Sequence, residues 1–402
     1  MARSYGAPTQ AGSTLVSPGP LASPQDDVHA RVVRAVKRFG GVTQADLAAA
    51  TGLPVTTVSA VVSDLSAAGV LETEARSWFS RRALRVRMSR RAGIVAGVHV
   101  APRGLSVVLG DPSGSVIAEQ HLPLPPEHRP DTTLDRGTLL VVDLMEGLGA
   151  DISELLSVGV GVAAQVDRAT GRIGPLGRLP GWADVNVAEN MGRRLEHPVH
   201  VDEDVNLAAL AERQSGAAQG AQDFVFVQLS HGASAAIVVG DRVHRGAVAS
   251  AGQIGHVQVS ADGPSCLCGN RGCLDAAIGE TAVLGRLGAH GGILTLRDVI
   301  RLAADGEPRC LDVLCDVAAQ VGEVIAGVVR TFDPERVVVG GELAQAGGDL
   351  VARLAASAQG SATWAGLAPV AVVPGRLGTR AQVLGALDLA RRAALSPAGV
   401  PA

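Results

Sequence analysis

The sequence predicts an α/β protein in two parts: a small three-helix head with a β-hairpin, then a larger body of two related α/β lobes. Three patterns carry this. Apolar residues recur at helical spacing in three consecutive short segments between positions 27 and 68. From Ile94 onward, strands and helices alternate. A three-strand meander occurs at 94–121 and again at 224–245, the mark of a repeated lobe.

The head is legible helix by helix. Asp27 is placed to cap a first helix whose Val28, Val32, Val36 and Phe39 share one face, and Gly40-Gly41 stops it. Thr43 and Asp46 have the spacing of a capping box, so a second helix runs to Thr51-Gly52. Pro54 opens a third helix over 55–68, with Val58, Val62 and Leu65 as its apolar stripe before Gly69. Residues 70–88 follow as a hairpin in which Leu84, Val86 and Met88 alternate with Arg85 and Arg87. Together these predict a winged helix-turn-helix over 26–90, with residues 1–25, rich in Gly, Pro, Ser and Thr, as a disordered tail.

A helix-turn-helix of this kind presents the outward face of its third helix to the major groove of double-stranded DNA. Here that face is Thr56, Thr57, Ser59, Ala60 and Ser63, small side chains that permit close approach and can bond base edges or phosphate. Arg76, Arg81 and Arg82 sit at the wing tip, placed to neutralise phosphate. Residues 28–91 hold ten Arg and one Lys against four acidic residues, or +7, which leaves −11 on the rest of a chain whose net charge is −4. A packing module with a solvated basic face is the plain alternative, and the agreement of helix spacing, turn and basic hairpin favours an operator-binding head.

Composition narrows the remaining classes. No run of about 18 apolar residues and no secretory leader pattern appear, so a cytoplasmic protein without a membrane partner is expected. Aromatics make up only 2%, which leaves the core to Val, Leu and Ala. Five cysteines are too few for a disulfide scaffold, and three of them fall within eight positions. Cys266, Cys268 and Cys273 with His256 form a four-ligand set for a closed, tetrahedral, structural zinc ion. Unligated core cysteines are the alternative for these three, and the preferred role for Cys310 and Cys315.

The motifs "GQIGHVQV" (252–259) and "CLCGNRGCLD" (266–275) resemble the signature of the ROK family of repressors and sugar kinases. "VGVGVAAQVD" (158–167), "LPGW" (179–182), "VDEDVN" (201–206) and "VVVGGEL" (337–343) are similar to the family's other motifs, in the same order. The resemblance implies an actin-like (ribonuclease H-like, sugar-kinase-type) two-lobe ATPase fold. It places lobe 1 at 93–204 plus 382–402, and lobe 2, with the zinc loop, at 205–381. It also implies a sugar-responsive transcriptional repressor, a homodimer or homotetramer on its operator.

Phosphoryl transfer needs a base and glycine-rich turns that hold the nucleotide phosphates. By resemblance, Asp204 stands at the family's catalytic base. The first phosphate turn is "VHVAPRGLS" (98–106), with His99 where the family has Asp, and the second is "SHGASAA" (230–236), keeping only Gly232. Side chains at Ala233, Ser234 and Ala235 are expected to obstruct phosphate, leaving Asp204 vestigial and the kinase degenerate. An active sugar kinase carrying a DNA-binding head, and a DNA-binding regulator without a ligand, stand as alternatives. For the effector the resemblance implies Arg178, Glu203, Asp204, Gln253, His256 and Asp275. An Arg178–Glu203 ion pair would close that cavity, whereas a free Arg178 would accept an acidic group on a modified sugar.

Overall fold

The computed structural model describes residues 24–39, 41–67, 71–78, 81–89, 93–167, 170–288, 295–346, 348–362 and 369–395. The expected tail over 1–23 and the helix stops at Gly40 and Gly69 lie outside the described residues. The chain divides into two compact units, one ending at Met88 and the other beginning at Ser89.

In the first unit, α1 (Pro24–Phe39), α2 (Gln44–Thr51) and α3 (Val55–Ala67) precede a small antiparallel sheet. Helix α1 starts at Pro24 rather than after Asp27, because proline's fixed φ suits a first turn, and positions 24 and 25 are therefore helix rather than tail. Strand β1 (Val42–Thr43) pairs with β3 (Arg81–Met88), which pairs with β2 (Leu71–Trp78). Val32, Val36, Leu47, Val58 and Val62 meet Leu71 and Val86 in one core. Val61 joins them, a position missing from the expected stripe although it lies one turn from Val58. The capping box forms: Thr43 accepts from the Asp46 amide, and the Asp46 carboxylate accepts from the Thr43 amide, both at 3.2 Å.

The second unit holds two five-stranded sheets of identical strand order. In lobe 1, β4 (Ile94–Ala101), β5 (Gly104–Gly110) and β6 (Val116–Pro123) make the antiparallel meander. Helix α4 (Pro130–Gly147) leads to β7 (Leu155–Val162), parallel to β4. A short hairpin of β8 (Ala164–Asp167) and β9 (Arg172–Gly177) precedes α5 (Val187–Leu195) and β10 (Val199–Glu203), which extends the sheet beside β7. In lobe 2, α6 (Asp204–Ser215) leads into the second meander: β11 (Phe224–Leu229), β12 (Ala233–Val239) and β13 (Arg242–His244). The loop with the clustered cysteines follows, then α7 (Leu274–Ile278), α8 (Glu280–Leu287), α9 (Leu296–Ala304) and α10 (Pro308–Phe332). Strand β14 (Arg336–Gly340), α11 (Gly348–Ala362) and β15 (Ala371–Pro374) complete that sheet in parallel.

Strands β7, β11 and β14 are buried along nearly their whole length, as their unbroken apolar runs require when both sheet faces are covered. The last helix, α12 (Ala381–Leu395), crosses back and lies on β4 and β7 of lobe 1. Gly97 and Gly159 make that approach possible. A Cβ on Gly159 would stand 2.0 Å from the Ala386 carbonyl, and one on Gly97 would stand 2.5 Å from the Leu387 amide.

Candidate functional site

The head exposes the face expected of it. Thr56, Ser59, Ala60 and Ser63 are exposed and Thr57 is half-buried, opposite the buried Val58, Val61 and Val62. Strand pairing sets Arg76 across from Ala83 and Arg82 across from Ser77, with Arg81 across from Trp78 at the hairpin end. The side chains of Arg76, Arg81 and Arg82 lie outside the described residues. Farther along, Arg85 points to solvent, whereas Arg87 pairs with Glu72 at 2.7 Å and is partly neutralised.

Between the lobes, a cavity of about 690 Å3 is lined by the first turn (Ala101, Pro102, Arg103 and Gly104) and by Ser230 and His231 of the second. His99 sits in its wall with Nε2 3.2 Å from Asp204 Oδ2. The same oxygen accepts from Gln228 Nε2 at 3.0 Å, and Gln228 Oε1 accepts in turn from Gln382 Nε2 at 2.9 Å. All four side chains are buried. Asp204 is thus tied into an internal network through its Oδ2. At the first turn, Arg103 donates to Glu280 Oε2 at 3.0 Å, and His231 Nδ1 contacts the same oxygen at 2.8 Å. This latch joins the lobes across the cavity mouth. The His231 contact, then Arg103, holds the Glu280 carboxyl below its usual range.

The second turn differs from expectation in where its small side chains go. Ala233, Ser234 and Ala235 already belong to β12, and their side chains are buried in lobe 2 instead of lining the cavity. Asp275 reaches the turn instead, and its Oδ1 accepts from the Ala233 amide at 2.6 Å. An amide of the kind that grips phosphate is therefore already satisfied. Gly232 is hemmed in as well, since a Cβ there would lie 2.6 Å from Arg178 Nε and 2.8 Å from Asp275 Oδ1.

A second cavity, about 870 Å3, is lined by Arg178, Glu203, Gln253, His256 and Asp275. Five of the six residues implied as effector contacts thus share one wall system, with Asp204 on the neighbouring cavity. Arg178 does not pair with Glu203. It donates to Asp275 Oδ2 at 3.1 Å and to the Ala233 carbonyl at 2.7 Å, because Asp275, at the start of α7, lies closer than the strand end that carries Glu203. Glu203 instead accepts from Gln253 Nε2 at 3.0 Å. Sequence reasoning missed Asp202, Arg245 and Gln228. Asp202 is held by Arg245 at the bottom of the same carboxylate run, and the "VDEDVN" motif was the available signal.

His256, Cys266, Cys268 and Cys273 come together with one ligand atom from each inside 4.8 Å. His256 Nδ1 lies 3.6 Å from Cys266 Sγ, and Cys268 Sγ lies 3.6 Å from Cys273 Sγ. A tetrahedral ion with metal–sulfur bonds of about 2.3 Å separates its ligands by about 3.8 Å, so the donor set fits one, and the sulfurs are too far apart for a disulfide. The loop folds back tightly at Gly272, whose φ of 66° and contact with the Ser260 carbonyl exclude a side chain. Cys310 is buried in the lobe 2 core and Cys315 is half-buried on the same helix.

A family model described as "ROK family" matches residues 94–393, and one described as "MarR family" matches 24–77. The DNA-binding transcriptional dual regulator NagC of Escherichia coli (strain K12) is 27% identical over 382 residues, covering 91% of this chain and 93% of that protein. The protein of Escherichia coli O157:H7 with the same identity and coverage is named N-acetylglucosamine repressor. Among solved structures, a ROK family transcriptional regulator, homolog of the E. coli MLC protein, superposes with a TM-score of 0.71 at 21% identity, covering 92% of this chain and 96% of that one. A ROK family glucokinase from Streptomyces griseus in complex with glucose and AMPPNP superposes with a TM-score of 0.67 at 25% identity, covering 75% of this chain and all of that one.

Proposed function

Because this chain belongs to the ROK family, we propose that it is a DNA-binding transcriptional regulator of the repressor type, responsive to a sugar or sugar derivative and without kinase activity. The observation that carries the regulator assignment is the MarR-type winged head joined to a kinase-like body, an arrangement shared along its length with a relative named as a repressor. Loss of catalysis is supported by the Ala233 amide, already satisfied by Asp275, and by His99 at the first turn, which contacts Asp204 Oδ2. The cavity with Arg178, Glu203, Gln253, His256 and Asp275 takes the effector, while Asp204 lies behind it as a vestigial base.

Three thiolates and an imidazole from His256, Cys266, Cys268 and Cys273 hold a structural zinc ion. When bound, the ion supplies rigidity, since four protein ligands leave no position for water. His256 turns Nδ1 toward the Cys266 thiol and also lines the effector cavity. Two heads of a homodimer or homotetramer engage half-sites about 34 Å apart, one helical turn of DNA. Thr56, Thr57, Ser59, Ala60 and Ser63 face the groove, and Arg76, Arg81 and Arg82 face the backbone. An effector needs only about 1–3 kcal/mol of preference for one arrangement to change operator occupancy five- to 150-fold. Such a protein works in the cytoplasm, and no helix among the described residues is long and apolar enough to cross a membrane.

Genome-wide mapping of bound sites, followed by a mobility-shift titration on the recovered fragment with and without N-acetylglucosamine, tests this assignment. Sequence-specific binding is expected; indifference to every genomic fragment would overturn it. The kinase alternative keeps one supporting observation, a carboxylate at position 204. It predicts sugar-dependent consumption of ATP, which a coupled assay would detect.

A further inference from the structure

Glu203 is the middle of three consecutive carboxyl side chains, all buried, and it stands in the wall of the 870 Å3 cavity. Its neighbours are compensated. Asp202 pairs with Arg245 and accepts from Asn206 at 3.3 Å, and Asp204 meets His99 and Gln228. Among the described residues, Glu203 has only the Gln253 amide, whose Nε2 donates to its Oε1. Among the described residues, no cationic side chain lies within ion-pair reach of it. Arg178, the guanidinium on the same wall, is engaged by Asp275 and the Ala233 carbonyl.

An ionised carboxylate in this position would be desolvated, flanked by two like charges and unpaired, and a group so placed gives up its charge. Burial first, then Asp204 and Asp202, push the Glu203 carboxyl up to about 8, against the smaller opposing pull of Gln253 and Arg178. His256, the titratable group on the turn that carries Gln253, is committed to the thiol cluster.

We propose that Glu203 meets the effector as a neutral carboxylic acid, its O–H donating to a hydroxyl or ring oxygen of an uncharged carbohydrate. The proposal rests on the assignment of this cavity to the effector. A carboxylate would accept only, and would select a ligand ammonium. A carboxylic acid offers donor and acceptor together, which suits a polyol and gives no advantage to a cation. It also ties affinity to pH, since only the protonated fraction binds in this manner.

Calorimetry on the full chain with N-acetylglucosamine, glucose and xylose as probes tests this, together with the 13Cδ signal of Glu203, assigned by its absence from Glu203→Gln. The signal is expected to titrate near pH 8 without ligand. Affinity for the probe that binds is expected to fall about thirtyfold between pH 7 and pH 9.5 as the protonated fraction falls. Glu203→Gln, whose amide is donor and acceptor with no proton to lose, should show a flat profile over that range, and Glu203→Ala should bind weakly at both pH values. Titration of Glu203 in the ordinary carboxylate range, or a wild-type affinity independent of pH, would overturn the proposal while leaving the effector cavity standing. Failure of all three sugars to bind at pH 7 would overturn the cavity assignment and the proposal together.

Discussion

Arg178, Asp275 and Glu203 show how much of the site depends on partner choice. The residue types were visible in the motifs, and so was their convergence on one cavity. The pairing was not. Which carboxylate Arg178 takes is decided by the seat of α7 against the 230–233 turn, a distance of a few ångströms that no spacing rule encodes. The Glu203 carboxyl is raised first by burial, then by Asp204 and Asp202, and Arg178, engaged by Asp275, opposes this only in part. The raised carboxyl has a stability consequence with a definite sign. The native state holds this proton more tightly than the unfolded chain does, so the contribution is full below the ordinary glutamate range and is lost as pH climbs through about 8. Urea unfolding at pH 6 and pH 9 should show Glu203→Gln gaining roughly 2–3 kcal/mol on wild type over that interval. Equal midpoint differences at both pH values would mean that Glu203 is ionised throughout.

At the level of single elements, the helices of the head were the most legible part, since capping residues and apolar spacing act locally. Thr43→Ala removes the side-chain cap of α2 and should cost about 1 kcal/mol, seen as a lower melting temperature with no change in zinc content. Thr57→Ala and Arg82→Ala should each weaken operator binding by roughly tenfold while leaving zinc and fold intact, as expected for the loss of one groove or phosphate contact. Wild-type binding by both variants would place the reading surface elsewhere. The cysteine loop has no such local insurance, being a sequence of turns closed by its ligands. Cys268→Ser should release zinc, measured by a chromogenic chelator, and loosen the segment from Gly255 to Asp275 in hydrogen exchange. At 230–236 the strand was legible from Ser234, and the inward direction of the side chains of Ala233, Ser234 and Ala235 was not. Small residues serve in a phosphate turn and in a closely packed strand entry alike, and the pairing of Ala233 with Leu229 places them in the strand.

Taken whole, the molecule separates its charge: +7 over residues 28–91 and −11 elsewhere. Operator affinity should therefore fall steeply with salt, on the order of a thousandfold between 50 and 200 mM if a dimer contacts about six phosphates. A shallow dependence would show that the basic hairpin stays off the backbone. Repetition of the lobes was legible from the two meanders, and the identical strand order of the two sheets bears it out. Long-range closure was less so. Nothing in the local pattern of 381–395 announces that α12 belongs with strands well over two hundred residues earlier, because the signal consists of two glycines, Gly97 and Gly159, in otherwise ordinary apolar runs.

That late closure sets an order of events during synthesis. A ribosome makes the chain from its amino end, and the head has all its parts once Met88 has emerged. Lobe 1 must wait with the backbone of β4 and β7 uncovered until α12 is translated, so a nascent polypeptide carries a finished winged domain on an unsealed body. Messages cut short before codon 381 would yield proteins able to fold at one end only, and such fragments should be prone to aggregation and to rapid proteolysis.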